Sequence, residues 1–403
     1  MAVANRDLMR AINRFTILHA IRDSGDISRV DLSRKTGVSQ ATVTSIIAEL
    51  IGEGVLIERQ RGKSRGGRRP VLIALNPKGA FAVGVHLSVD EINVVLMDFQ
   101  ANIISKHTRP LFAGNHDPKQ VMETLIEAVH TCLWEADFSK SQISGIGLAV
   151  PGLVDSGTGH VHFVPNYQWK DVNFAEMLRQ RIGVATYIEN SANTLAIYEQ
   201  WFGFGRGTDN FILITTEHGI GMGMILNGKI FRGLRGISGE IGHTIVSENG
   251  ELCRCGESGC LEAICGNNAI IRDAKKAVEN GEWQVKDIDS VTIDKIIDAA
   301  QAGNQALIKI YDRAGRTLGT GIRNLNKIFD VEKIIISGKG VLAGDLLFEP
   351  MQKTLSKDIS FAEDAVTRLF IQPWQPTNYA RAAGALVLQE IYQSPANRVV
   401  PII

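Results

Sequence analysis

His243, Cys253, Cys255 and Cys260 bring one imidazole nitrogen and three thiolates into a short stretch of chain. That donor set suits a closed tetrahedral Zn2+ site, because soft sulfur and imidazole together select zinc and four ligands leave no open position. Gly256 and Gly259 lie among the donors and allow the chain to wrap tightly. The Cys-x-Cys spacing is closer than in common zinc fingers. The chain holds 5 cysteines. Three of them beside a histidine point to metal ligation in a reducing compartment, not to disulfides. Cys132 reads as a core thiol.

A second kind of chemistry lies near the N-terminus. Val43, Ile46, Ile47, Leu50 and Ile51 recur at helical spacing, and Ser39 stands where a helix needs its N-cap. Ala41, Thr42, Ser45 and Ala48 occupy the other side. Small residues there let a helix sit deep in a major groove, with Ser39, Gln40, Thr42, Thr44 and Ser45 as the candidates for DNA contact. Upstream, Leu8, Ile12, Phe15, Leu18 and Ile21 predict one helix ended by Ser24-Gly25, and Ser28 to Gly37 predicts a shorter one. Downstream, residues 55–59 and 71–75 read as strands around a Gly-rich loop. Residues 59–69 contain 6 Lys and Arg and no acid. Such a wing is suited to phosphate backbone, and Arg65, Arg68 and Arg69 are placed to reach a minor groove. A plain three-helix bundle would have no need of that cationic tip. Residues 1–80 are therefore expected to be a winged helix-turn-helix binding double-stranded DNA.

Composition agrees. The whole chain is neutral, 43 Lys and Arg against 43 Asp and Glu, but residues 1–80 carry 14 against 7. A basic head on an acidic body suits a protein of which only the head meets nucleic acid. At 403 residues and 44% hydrophobic, two or three domains are expected. No apolar run approaches the ~18 residues of a membrane span, and the polar start Met-Ala-Val-Ala-Asn-Arg-Asp does not read as a signal peptide. A cytoplasmic location is expected.

Beyond the head, residues 81–98 and 211–230 share a strand–turn–strand design, each followed by alternating helical and strand patterns. A duplicated α/β layout predicts two lobes with a ligand cleft between them. Ordered motifs then carry a family likeness: Gly66-Gly-Arg-Arg-Pro-Val71, Val150-Pro-Gly-Leu-Val-Asp155, Pro165-Asn-Tyr-Gln-Trp-Lys-Asp171, Ile188-Glu-Asn-Ser-Ala-Asn193, Gly239-Glu-Ile-Gly-His243 and the run from Cys253 to Glu262. Over nearly its whole length the chain resembles the ROK family of repressors and sugar kinases, in the repressor branch and nearest the xylose-repressor type.

That resemblance implies an α/β fold: an N-terminal winged helix-turn-helix, then a two-lobed actin/hexokinase-like (ribonuclease H-like) sugar-kinase body. The head would occupy 1–80, the first lobe 81–195 with a C-terminal helix at about 380–403, and the second lobe 196–379 with the zinc site and a dimerisation surface. The family's zinc ligands fall on His243, Cys253, Cys255 and Cys260, while Cys265 matches no ligand position. Its sugar contacts fall on Asn190, Glu240, His243 and Glu262, with Gly152 as the backbone approaching the sugar and Asn166 a further candidate. Trp169 is expected in the core. The imidazole of His243 would hold zinc through one nitrogen and offer the other to a sugar hydroxyl.

The kinase machinery is altered. The phosphate loop of the family's kinases aligns with His86, Leu87, Ser88, Val89 and Asp90, and the second phosphate segment with Glu217-His-Gly-Ile-Gly221. Added bulk and carboxylates oppose phosphate. Ser191 stands where a kinase has its catalytic Asp, and a neutral hydroxyl does not accept a proton near pH 7. No catalytic residues are assigned. The expected protein is a homodimeric or tetrameric repressor of carbohydrate-utilisation genes. A sugar in the interlobe cleft, xylose or a related aldose, would release it from a near-palindromic operator. Two rivals remain: control by a protein partner from sugar transport, and a bifunctional sugar kinase.

Overall fold

The computed structural model describes residues 6–59, 70–111, 117–357 and 367–392. Arg65, Arg68 and Arg69 lie outside the described residues. The head comprises α1 (Arg6–Ser24), β1 (Ile27–Ser28), α2 (Arg29–Thr36), α3 (Gln40–Gly52), β2 (Leu56–Arg59) and β3 (Leu72–Leu75). Its strands form one antiparallel sheet in the order β1-β3-β2. The helices start and stop on local chemistry. Ser28 Oγ accepts from the Asp31 N–H, Gly37 closes α2 at φ 71, and Ser39 Oγ accepts from the Thr42 N–H to begin α3. Ile17, Leu18, Ile21, Leu32, Val43, Ile46, Ile47, Leu50, Leu56 and Ile73 are all buried. Each such side chain removed from water contributes roughly 1.5–3 kcal/mol before entropy is counted. Arg10 and Arg14 of α1 pair with Glu49 and Glu53 at the end of α3.

The body begins with β4 (Phe81–Leu87), β5 (Glu91–Asp98) and β6 (Ile103–Pro110), an antiparallel meander. After α4 (Pro118–Glu135), β7 (Gly145–Val150) pairs parallel with β4. A small sheet follows, made of β8 (Leu153–Asp155), β9 (His160–Val164) and β10 (Trp169–Val172). Next come α5 (Phe174–Ile182) and β11 (Thr186–Asn190), which pairs parallel with β7. The main sheet runs β11-β7-β4-β5-β6. Its apolar side chains meet α4 and α5 through Leu125, Val129, Phe174 and Leu178. Trp169 is buried between Tyr167 and Phe174.

The chain divides within α6 (Ser191–Phe202) into two compact units, the second spanning Leu195–Asn378. That unit contains β12 (Phe211–Thr216), β13 (Ile220–Leu226) and β14 (Lys229–Ile230), then α7 (Glu262–Cys265), α8 (Asn267–Glu279), α9 (Ile293–Gln301) and α10 (Gln305–Phe329). It continues with β15 (Lys333–Ser337), α11 (Asp345–Leu355) and β16 (Arg368–Ile371). Its sheet runs β14-β13-β12-β15-β16. Each unit thus places an antiparallel hairpin beside two parallel strands, the duplication expected from the two hairpin motifs. Ile212, Ile214, Ile334 and Ile336 of this sheet pack with Leu318 and Ile322 of α10.

The last helix, α12 (Asn378–Tyr392), returns to the first unit. It crosses β4 and β7 so closely that a Cβ on Gly84 would lie 1.9 Å from the Ala380 carbonyl oxygen, and one on Gly147 1.8 Å from that of Ala383. Only glycine permits that approach. The head belongs to the same unit. Within it Asn76 Nδ2 donates to the Gly54 carbonyl at 2.6 Å, and from the body Gln100 Nε2 donates to the Leu75 carbonyl at 3.2 Å. The Arg22 guanidinium of α1 lies 6.0 Å from the centre of the Tyr392 ring, which stacks on Phe99. Among the described residues no helix is long and apolar enough to cross a membrane.

Candidate functional site

Several constellations are candidates to carry chemistry. On α3, Ser39, Gln40, Thr44 and Ser45 are exposed, and Thr42 is half-buried with its hydroxyl 2.9 Å from Ser39 Oγ. Val43, Ile46, Ile47 and Leu50 seat the opposite side in the core, while Ile51 stays partly exposed. The helix therefore presents a short polar face, free of bulky side chains, on a rigid support.

The second constellation follows β14. His243, Cys253, Cys255 and Cys260 place one donor atom each within 4.8 Å of one another. The Cys255 and Cys260 sulfurs are 3.6 Å apart, and Cys253 Sγ is 3.5 Å from His243 Nδ1. Two sulfurs bound tetrahedrally at about 2.3 Å stand about 3.8 Å apart, so this cluster is of the right size for one ion. Backbone bonds shape the loop: the Cys253 N–H donates to Glu257 and the Gly259 N–H to Glu251. Gly256 and Gly259 hold φ of 97 and 79. Burial pushes the Cys260 thiol up to about 12, so a bound cation must displace its proton. Cys265 and Cys132 are buried elsewhere, the former against the Ala314 carbonyl.

The cysteine cluster and a group of polar side chains meet at His243. With Nδ1 toward the sulfurs, its Nε2 lies 3.8 Å from Glu240 Oε2. Glu240 is exposed. Glu262 is buried, accepts from the Ile220 N–H at 3.1 Å, and is held by Arg254 Nε at 2.5 Å. Arg254, between two of the cysteines, was not singled out from sequence. Its place in the Cys-Arg-Cys run was the only available sign.

In the first unit, Asn190 caps α6. Its Oδ1 accepts from the Ala192 N–H, and its Nδ2 donates to the Gly152 carbonyl at 2.9 Å. Asn166 is exposed on the turn between β9 and β10. Ser191 Oγ is buried and has no hydrogen-bond partner among the described residues. A buried hydroxyl without a partner carries a desolvation cost that a ligand can remove.

The altered kinase segments are filled by the protein's own groups. Tyr167 donates to the Ser88 carbonyl, and His86 stacks on Tyr379 at 4.5 Å. The Glu217 carboxylate accepts from the Lys339 N–H at 2.9 Å, and burial lifts its pKa to about 7.

The fold and these constellations define a winged helix-turn-helix joined to a body of sugar-kinase type. Residues 10–57 match winged helix-turn-helix DNA-binding domains, and residues 82–390 match the ROK family. The chain belongs to the ROK family. It is 30% identical to the xylose repressor of Caldicellulosiruptor bescii over 98% of this chain and 99% of that one. It is also 30% identical to the DNA-binding transcriptional dual regulator NagC of Escherichia coli, over 88% of this chain and 87% of that one. A ROK-family transcriptional regulator homologous to E. coli Mlc shares the fold, with a TM-score of 0.78 and 24% identity, covering 96% of this chain and 97% of that one. A ROK-family glucokinase from Streptomyces griseus, solved with glucose and AMPPNP, matches 77% of this chain and 100% of its own, with a TM-score of 0.68 and 25% identity.

Proposed function

We propose that this protein is a sugar-responsive transcriptional repressor. The supporting observation is the pairing, in one chain, of a winged helix-turn-helix with a ROK body; Ser191, which the resemblance places where a kinase has its catalytic Asp, has a buried hydroxyl without a partner among the described residues. Gln40, Thr44 and Ser45 would meet base edges in a major groove, with Ser39, Thr42, Arg65, Arg68 and Arg69 assisting on backbone or minor groove. The candidate sugar contacts are Gly152, Asn166, Asn190, Glu240, His243 and Glu262, with Ser191 gaining a hydroxyl partner. Xylose or a related aldose is the first candidate.

The donor set of His243, Cys253, Cys255 and Cys260 fits zinc, which would hold the loop and fix the orientation of the imidazole. Nδ1 would be the ligand, leaving Nε2 beside Glu240 for the sugar. The protein would act as a homodimer or tetramer, with exposed Leu234, Ile245 and Leu252 available to a second copy. It would not transfer phosphate, since Ser191 offers no base and Glu217 places a carboxyl in the second phosphate segment. Sugar binding would reach the head through α12, on which Arg22 rests.

The test has two readouts: purified protein mixed with ATP and aldoses is assayed for sugar phosphate, and the same sugars are assayed by calorimetry. Binding without product is the expected result. ATP-dependent phosphorylation of any sugar would overturn the repressor-only reading.

A further inference from the structure

Outside the cysteine loop, one more group of side chains among the described residues is arranged as ligands. His160 and His162 alternate along β9, and Asp171 stands opposite His162 on β10, between the pairs Lys170↔Phe163 and Val172↔Val161. Two residues apart on a strand, both imidazoles share one face. The Asp171 backbone adopts φ 52, left-handed for a residue with a side chain. His160 Nε2 is 3.4 Å from Asp171 Oδ1, and His162 Nδ1 is 3.8 Å from the same oxygen. The imidazole centroids are 4.9 Å apart, and all three donor atoms lie within 4.8 Å of one another.

We propose that His160, His162 and Asp171 form a second metal site, for a divalent transition ion of zinc type. Nitrogen and oxygen donors at about 2.1 Å from one ion stand about 3.0–3.4 Å apart, so small side-chain rotations close the observed spacing. Two imidazoles and one carboxylate favour zinc, cobalt or nickel over calcium or magnesium, which require mostly oxygen. With side-chain exposures of 29%, 42% and 78%, the three are open to exchange with solvent. Three protein ligands leave positions for water, so this ion binds more weakly than the one in the four-ligand cysteine loop.

The site has a structural consequence. It ties β9 to β10 at the end of their hairpin remote from the Pro165–Tyr167 turn. That turn carries Asn166. On β9, the Phe163 carbonyl oxygen would lie 2.3 Å from a Cβ on Gly152. Occupancy therefore stiffens the strand pair beside two residues assigned to the sugar, a consequence that rests on the repressor reading although metal binding does not.

The test is calorimetric titration of full-length protein, already carrying one equivalent of zinc, with further Zn2+ in a non-chelating buffer. Wild type is expected to take up a second equivalent. His162→Ala and Asp171→Asn are each expected to weaken that step at least ~10-fold, the cost already carried by loss of a group that merely orients a ligand, while keeping the first equivalent and the wild-type circular dichroism. Cobalt gives an independent readout: the second site should add ligand-field bands with no sulfur-to-cobalt charge transfer, unlike the cysteine loop. Should either variant fold poorly, His160→Gln is titrated in its place. Uptake of a single equivalent by wild type, or a second equivalent unchanged in the variants, overturns the proposal.

Discussion

The head and the cysteine loop both carry candidate ligand-contacting groups, but they stand on different supports. Beneath α3 lies a complete apolar core, with Val43, Ile46, Ile47 and Leu50 all buried. Beneath the loop, Cys253, Cys260 and Ala263 form a small buried cluster of their own, so its order depends on turn glycines, backbone hydrogen bonds and four ligand side chains. One support comes from the hydrophobic effect and persists without a ligand. The other would draw on coordination as well, and that share would go with a bound ion.

Metal removal should therefore separate the two. Cys255→Ser, or exhaustive chelation, is expected to abolish the sugar response while DNA affinity stays within about 3-fold; titrating operator DNA with and without sugar distinguishes the effects. Equal loss of both would show that the head depends on the loop.

The next largest effect concerns Glu217, whose pKa is raised from 4.5 to about 7 by burial. Because the folded state holds that proton more tightly, its stabilising contribution is whole below about pH 4.5 and is lost as pH rises through 7. The shift corresponds to at most about 3 kcal/mol. Glu217→Gln should flatten the fall in the thermal midpoint between pH 5 and 8. An unchanged slope would place the effect elsewhere.

Substitutions on α3 should touch the head alone. Gln40→Ala is expected to weaken operator binding about 10-fold, within the roughly 1–3 kcal/mol of a base contact, and to leave sugar affinity unchanged in calorimetry. Smallest is Ser39→Ala, which removes the cap on the Thr42 N–H and should lower the stability of the head by about 1 kcal/mol. Urea unfolding followed by a head-specific probe measures it.

Local patterns were legible in the sequence where one segment carries its own signal. Ser28, Gly37 and Ser39 mark helix ends, and the hairpins over 81–98 and 211–230 announce the duplicated sheets. The two-residue β1 was not legible, because its partner β3 lies across the intervening helices and Ile27-Ser28 is too short for any periodicity. At the site, the candidate ligands could be read from residue type. The Arg254–Glu262 pair and the bond from Asn190 to Gly152 could not, since both depend on the paths of loops that no spacing rule describes. The family resemblance assigns Asn190 to the sugar; its amide also joins the β11 end to the Gly152 turn, a role visible only in three dimensions.

The most direct measurement is fluorescence anisotropy of the purified protein on DNA from upstream of its own gene, titrated with a panel of sugars and sugar phosphates. The expected result is tight binding that one aldose releases. Tight binding that none of the sugars alters would contradict the sugar as effector, and no binding at all would contradict the repressor itself.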